Sequence, residues 1–132
     1  EITETTIMDN FERNIKIIKR LQDYGFKIEI DDFGSGYSSL NMLKDVKVDA
    51  LKLDRVFFES GDNDERGKDI IQSVIKLAQA LDLHTISEGV EERKQVEFLK
   101  EMHCDLIQGY VFAKPMPVPE FEQLAFGTEA AD

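Results

Sequence analysis

Short apolar strand patterns alternate with longer amphipathic helix patterns about four times along this chain, and few architectures accept that order. Asp9 caps a predicted helix running to about Tyr24, with Phe11, Ile15, Ile18 and Leu21 on one face and Gly25 as its stop. Residues 27–30 follow as a strand of period two, and a helical turn is expected near residues 38–43. Ala50–Leu53 reads as the next strand. Residues 68–81 predict an amphipathic helix with Ile70, Ile71, Val74, Leu77 and Leu81 inward. His84–Ser87 is a strand, residues 92–102 a helix with Val96, Leu99 and Met102 inward, and residues 106–108 a last short strand. Pro115, Pro117 and Pro119 lead into a final helix near residues 120–125. Strand–helix–strand repeats of this kind make right-handed βαβ units, so the fold class is α/β with a parallel sheet.

Composition narrows the function classes. Apolar residues at 42% and charged residues at 33% describe a chain that folds around a core rather than a disordered one. A net charge of −11 disfavours binding to a nucleic acid polymer. It does not disfavour a phosphate ligand, because a carboxylate-bound metal reverses the local field. No apolar run reaches the roughly 20 residues of a membrane span, so no membrane contact is expected from this segment. Cys104 is the single cysteine, which excludes an intrachain disulfide and fits a cytoplasmic location. The chain opens at Glu1 with no initiator methionine, as a piece of a longer protein would.

The polar residues that a core does not need gather just after the strands. Glu1 and Glu4 close the first, and Asp31 and Asp32 the second. Lys52 and Asp54 flank Leu53 at the end of the third, Glu88 and Glu91 follow the fourth, and Gln108 ends the fifth. Ligands of parallel α/β folds bind at the carboxyl ends of strands. Crowded carboxylates repel unless a proton or a metal ion sits between them. The pattern therefore predicts a divalent-cation site of hard oxygen ligands, suited to magnesium or manganese more than zinc. Lys52 is a cation among these acids. It either holds a phosphate oxygen or orients an attacking water, or else forms a purely structural pair with Asp54 or a glutamate.

Other patterns fail on chemistry. The segment Asp62-Asn-Asp-Glu-Arg-Gly67 faintly follows a calcium loop, but Arg66 takes a ligand position and Ser73 replaces the bidentate glutamate. His84 and His103 lie far apart, and His103-Cys104 lacks zinc-ligand spacing, so both histidines read as structural. Gly34-x-Gly36 lacks the third glycine of a dinucleotide fingerprint, where Ser39 stands.

Five motifs, in order, carry a family resemblance: Glu1-Ile-Thr-Glu4, Asp31-Asp-Phe-Gly-Ser-Gly-Tyr-Ser-Ser39, Lys52-Leu-Asp54, Glu88-Gly-Val-Glu91 and Gln108-Gly-Tyr-Val-Phe-Ala-Lys-Pro115. Together they resemble the EAL-domain family, the cyclic di-GMP-specific phosphodiesterases of bacteria. The resemblance implies a TIM-like (β/α)8 barrel that hydrolyses cyclic di-GMP to linear pGpG with two magnesium or manganese ions. It implies metal ligands at Glu1, Asp31 and Asp32, with Asp31 bridging. Lys52 corresponds to the lysine that contacts the attacking water, and Glu88 to an essential acid beside the metals. Asp54, Glu91 and Gln108 correspond to residues lining the substrate site. Glu4 corresponds to the residue that steadies the loop after Asp32, residues 33–39, through which a homodimer is expected. Ser35 replaces the usual threonine, and Ser87 the usual alanine.

The namesake Glu-Ala-Leu motif and an asparagine ligand precede the Glu1 position in the family, and neither occurs in these 132 residues. A whole barrel needs about 250 residues. The expectation is therefore the C-terminal half of an EAL domain at residues 1–126, a partial barrel of about four βα units, followed by a disordered tail at 127–132. The parent is expected to be a cyclic di-GMP phosphodiesterase, free to be membrane-tethered through other domains, with the fragment alone inactive. The rival reading is a degenerate, non-catalytic EAL module that binds cyclic di-GMP or a protein partner.

Overall fold

The computed structural model describes residues 1–33, 39–54 and 65–127. Among the described residues, five strands run in the order of the sequence: β1 (Ile2–Thr3), β2 (Glu29–Phe33), β3 (Ala50–Leu53), β4 (His84–Ser87) and β5 (Leu106–Ile107). Every neighbouring pair is parallel. The helices described between and after them are α1 (Glu4–Asp9), α2 (Phe11–Asp23), α3 (Ser39–Asp45), α4 (Glu65–Ala80), α5 (Arg93–Glu101) and α6 (Val118–Phe126). This is the parallel α/β architecture expected from the alternation. All five strand ends point to one rim.

The core lies between the sheet and its helices. Leu51 and Leu53 from β3, Ile30 from β2, Ile75 from α4 and Leu99 from α5 are all wholly buried within it. The β3 strand is buried at every position, as a central parallel strand covered on both faces should be.

Several element details differ from the sequence reading. Asp9 does not cap the first long helix but ends α1, whose cap is Thr3, accepting the Thr6 N–H at 3.3 Å. Asn10, at φ −147°, breaks the chain between α1 and α2. The second strand runs to Phe33 rather than stopping at Ile30. Helix α4 starts three residues earlier, and its buried stripe is Ile71, Ile75 and Ala78. Ile70 and Leu81, expected inward, are 45% and 46% exposed. They sit on the flanks of that stripe, and a strip one helical face wide cannot bury every apolar position of the helix. Val74 packs at the edge of the core.

Three helices close with one device. Beyond α2, Gly25 takes φ +91°, its N–H donates to Gln22 O, and the Phe26 N–H donates back to Leu21 O. Asp82 (φ +58°) after α4 and His103 (φ +61°) after α5 repeat this pairing, with Leu83 N–H to Ala78 O and Cys104 N–H to Leu99 O. Each sharp stop returns the chain to the next strand. Helix α5 begins on a capping box, in which the Gln95 side chain accepts the Glu92 N–H at 3.0 Å.

The rim opposite the strand ends is fastened by carboxylates. Asp49 accepts the Ile28 N–H at 2.8 Å and pairs with Lys27 at 3.0 Å. Asp105 accepts the Thr85 N–H at 2.8 Å and the Thr85 hydroxyl at 3.0 Å. Of the tail expected at 127–132, residues 128–132 lie outside the described residues.

Candidate active site

A regular strand would point Asp31 and Asp32 to opposite faces. The β2 strand avoids this by not being regular. Between Ile30 and Phe33 it advances three residues while β3 advances two, from Leu51 to Leu53. The surplus residue is a bulge, and Asp32 absorbs it at φ +56°. Asp tolerates this left-handed backbone better than most residues, because its short polar side chain bonds locally. Such strain is on the order of 1–3 kcal/mol and gathers at working sites. The result is that oxygens of Asp31, Asp32 and Glu88 all lie within 4.8 Å of one another.

Lys52 holds the centre of this group. Leu51 and Leu53 turn toward the helices, so the side chain between them turns to the other face. The residue is 5% exposed. Its Nζ lies 3.1 Å from Glu88, 3.2 Å from Asp31 and 3.2 Å from Glu1. Burial alone would lower the Lys52 pKa, but hydrogen bonds to Glu88, Glu1 and Asp31 outweigh it and push the value up. The ammonium stays charged. Asp32 moves the other way: burial raises its carboxyl, the charges of Asp31 and Asp54 raise it further, and Lys52 offsets only part. One ammonium thus faces a surplus of carboxylates, an imbalance that a divalent cation would relieve. The donor set is all oxygen, which fits a hard cation.

Backbone hydrogen bonds bring in the last two strand ends. Glu88 N–H donates to Leu53 O at 3.2 Å, and Gln108 N–H donates to Ser87 O at 2.8 Å. Val90 N–H donates to Gln108 O, and Val111 N–H to Val90 O, each at 3.2 Å. This lacing leaves no room at Gly109, where a Cβ would sit 1.9 Å from the Val90 carbonyl oxygen. Between the two loops opens a cleft of about 300 Å³ lined by Glu88, Gly89, Glu91, Gln108, Gly109 and Tyr110.

The structure therefore gathers Glu1, Asp31, Asp32, Lys52 and Glu88, sets Asp54 close enough to act on Asp32, and puts Glu91 and Gln108 in the adjoining cleft. Of the pairings weighed for Lys52, those with glutamates form, to Glu88 and Glu1. Glu4 opens α1, and its side chain lies outside the described residues, as do residues 34–38 of the loop expected to carry a dimer contact. Residues 62–64 of the calcium-like segment also lie outside them. Tyr110 is the lining residue that sequence reasoning did not single out. Its only signal was its place directly after Gln108-Gly109.

Comparison with known proteins agrees with this geometry. Residues 1–115 match the family model for the EAL domain. The chain is 43% identical over 123 residues to the cyclic di-GMP phosphodiesterase NbdA of Pseudomonas aeruginosa, covering 93% of this chain and 16% of that protein. Among solved structures, the EAL domain of Mycobacterium smegmatis DcpA superposes with a TM-score of 0.85 at 35% identity, over 93% of this chain and 55% of that one. Klebsiella pneumoniae BlrP1, in a complex with manganese and cyclic di-GMP, gives a TM-score of 0.77 at 32% identity, over 86% of this chain and 29% of that one. The chain thus spans about half of a solved EAL domain and under a fifth of NbdA. With its motifs, its parallel sheet and its acidic strand-end cluster, the chain belongs to the EAL-domain family.

Proposed function

We propose that this chain is the C-terminal half, residues 1–126, of a cyclic di-GMP phosphodiesterase domain that yields linear pGpG. The observation that carries this reading is the strand-end cluster of Asp31, Asp32 and Glu88 around the buried Lys52 ammonium. Asp31, Asp32 and Glu1 would hold magnesium or manganese, with Glu88 beside them. Bound there, two such ions supply Lewis-acid neutralisation of charge on the phosphodiester.

The chain's own residues do the rest. Lys52, fixed by three carboxylates, donates hydrogen bonds and would orient a water toward the phosphorus. Glu88 anchors that ammonium and can take up a proton from the water as its oxygen bonds to phosphorus, while the bond from phosphorus to the ribose 3′ oxygen breaks and that leaving oxygen takes a proton from solvent. Gln108 and Glu91 line the cleft where the dinucleotide extends from the cluster, and Asp54 keeps the field at Asp32 negative. Glu4 is assigned to steadying the loop after Asp32.

The test is turnover of cyclic di-GMP by the parent protein, with product read by chromatography. Hydrolysis to pGpG is expected with magnesium or manganese and none after chelation. Asp31→Ala should abolish it, and Lys52→Met should lower kcat by about 10²–10³-fold. Tight binding of cyclic di-GMP without metal-dependent turnover would instead establish the non-catalytic module.

A further inference from the structure

The outer face of α2 is the place where charge is least accounted for. This helix carries Arg13, Lys16, Lys19 and Arg20 against Glu12 and Asp23, in a chain of net charge −11. With 27 acidic residues available, none of these four cations forms an ion pair among the described residues. Three of them, Arg13, Lys16 and Arg20, share one open surface with Asn10, Glu12 and Ile17. Ile17 is 41% exposed, an apolar side chain set among cations.

The position of this stripe in the fold matters. Ile18 is the buried residue of α2 and faces the sheet. Lys16 and Arg20 stand two residues to either side of it, about 200° round the helix, and so point away from the sheet. The spacing of Arg13, Lys16, Ile17 and Arg20 is three, four and seven, a single ridge about 10 Å long.

We infer that this ridge docks an acidic amphipathic helix of a partner protein, its carboxylates meeting Arg13, Lys16 and Arg20 and one apolar side chain meeting Ile17. Charge selects this occupant. A lipid surface or a nucleic acid polymer extends past the ridge and meets the rest of a strongly negative molecule within a Debye length of about 8 Å. A single helix is narrow enough to meet only the ridge. The inference is independent of the phosphodiesterase reading, because none of these residues belongs to the acidic cluster.

Fluorescence anisotropy tests it with a labelled model helix of about 15 residues that presents Glu around a central Leu at the matching spacing. A second peptide replaces each Glu by Gln. The protein is expected to bind the Glu peptide, with affinity falling as salt rises, and to bind the Gln peptide about tenfold more weakly or worse. The double variant Arg13→Glu/Arg20→Glu should lose about tenfold in affinity, and Ile17→Ser should weaken binding in the same assay. These side chains are exposed, so far-ultraviolet circular dichroism should be unchanged. Lys16→Gln supplies a milder variant if it is not. Equal binding of the two peptides, or unchanged affinity in the folded variants, overturns the proposal. So does capture of the protein by phosphatidylglycerol vesicles through these same cations in preference to the peptide.

Discussion

Ser87 and Lys52 lie on adjacent strands, both buried, and their polar atoms meet opposite fates. Lys52 has three carboxylate partners, whereas the Ser87 hydroxyl, at 0% exposure, has no hydrogen-bond partner among the described residues. A buried hydroxyl without a partner keeps its desolvation penalty, and an apolar group of similar shape does not. Ser87→Ala should therefore be neutral or stabilising, by up to about 1 kcal/mol or roughly 3–5 °C in Tm, measured by thermal denaturation. A marked loss of stability would show that the hydroxyl has a partner after all. Asp49, on the opposite rim, shows what satisfaction does. Its carboxyl is held below 3.8 chiefly by the Ile28 N–H, against burial and with help from Lys27. A depressed carboxylate stabilises the fold fully above 3.8, and the contribution is lost as the pH falls through its folded-state value. Asp49→Asn should cost about 1 kcal/mol at neutral pH and shrink the acid-induced loss of stability, read from denaturant melts at a series of pH values.

At the scale of elements, the parts of the fold that follow from period and propensity were legible, and the part that depends on register between strands was not. The strands at Ala50–Leu53 and His84–Ser87 run as their apolar patterns indicate. Gly25 announced its helix end because glycine accepts a positive φ without strain. Asp82 and His103 do the same work with side chains that do not advertise it, yet the apolar periods read to residues 81 and 102 end within one residue of the observed helices. Asp32 is different. The acidic pair was plain, but the bulge that turns both carboxylates to one side is a matter of register with β3, which no local pattern states. The burial of α4 erred for a related reason, since the face that meets the sheet is chosen by packing and not by the count of apolar residues. These helix stops carry a prediction. Asp82→Gly removes the side-chain penalty of φ +58° while leaving the Leu83 N–H to Ala78 O bond in place. It should stabilise the chain by about 0.5–1 kcal/mol in denaturant unfolding, and Asp82→Val should destabilise it by more.

At the scale of the molecule, the two rims divide the labour: carboxylates that accept backbone N–H groups fasten one, and carboxylates crowded around Lys52 arm the other. The two edges of the sheet are a different matter. β1 and β5 each pair on one side only among the described residues, and both leave backbone donors and acceptors open. Leu106 of β5 is exposed, as are Phe112, Val118, Phe121, Leu124 and Phe126, and α6 buries no residue at all. Open strand edges and exposed apolar side chains both drive association, because burying apolar surface contributes about 25 cal/mol per Å². The 132-residue chain on its own should therefore run well above its monomer mass of 15.1 kDa in light-scattering chromatography, increasingly so at higher concentration. Replacing Phe121 and Leu124 by Ser should reduce that association. α6 contributes nothing to the buried core, so the variant should remain folded. A chain that stays at 15.1 kDa at every concentration would mean that this apolar surface is covered within a single chain in solution, and that the parallel sheet with its helices is a self-sufficient fold.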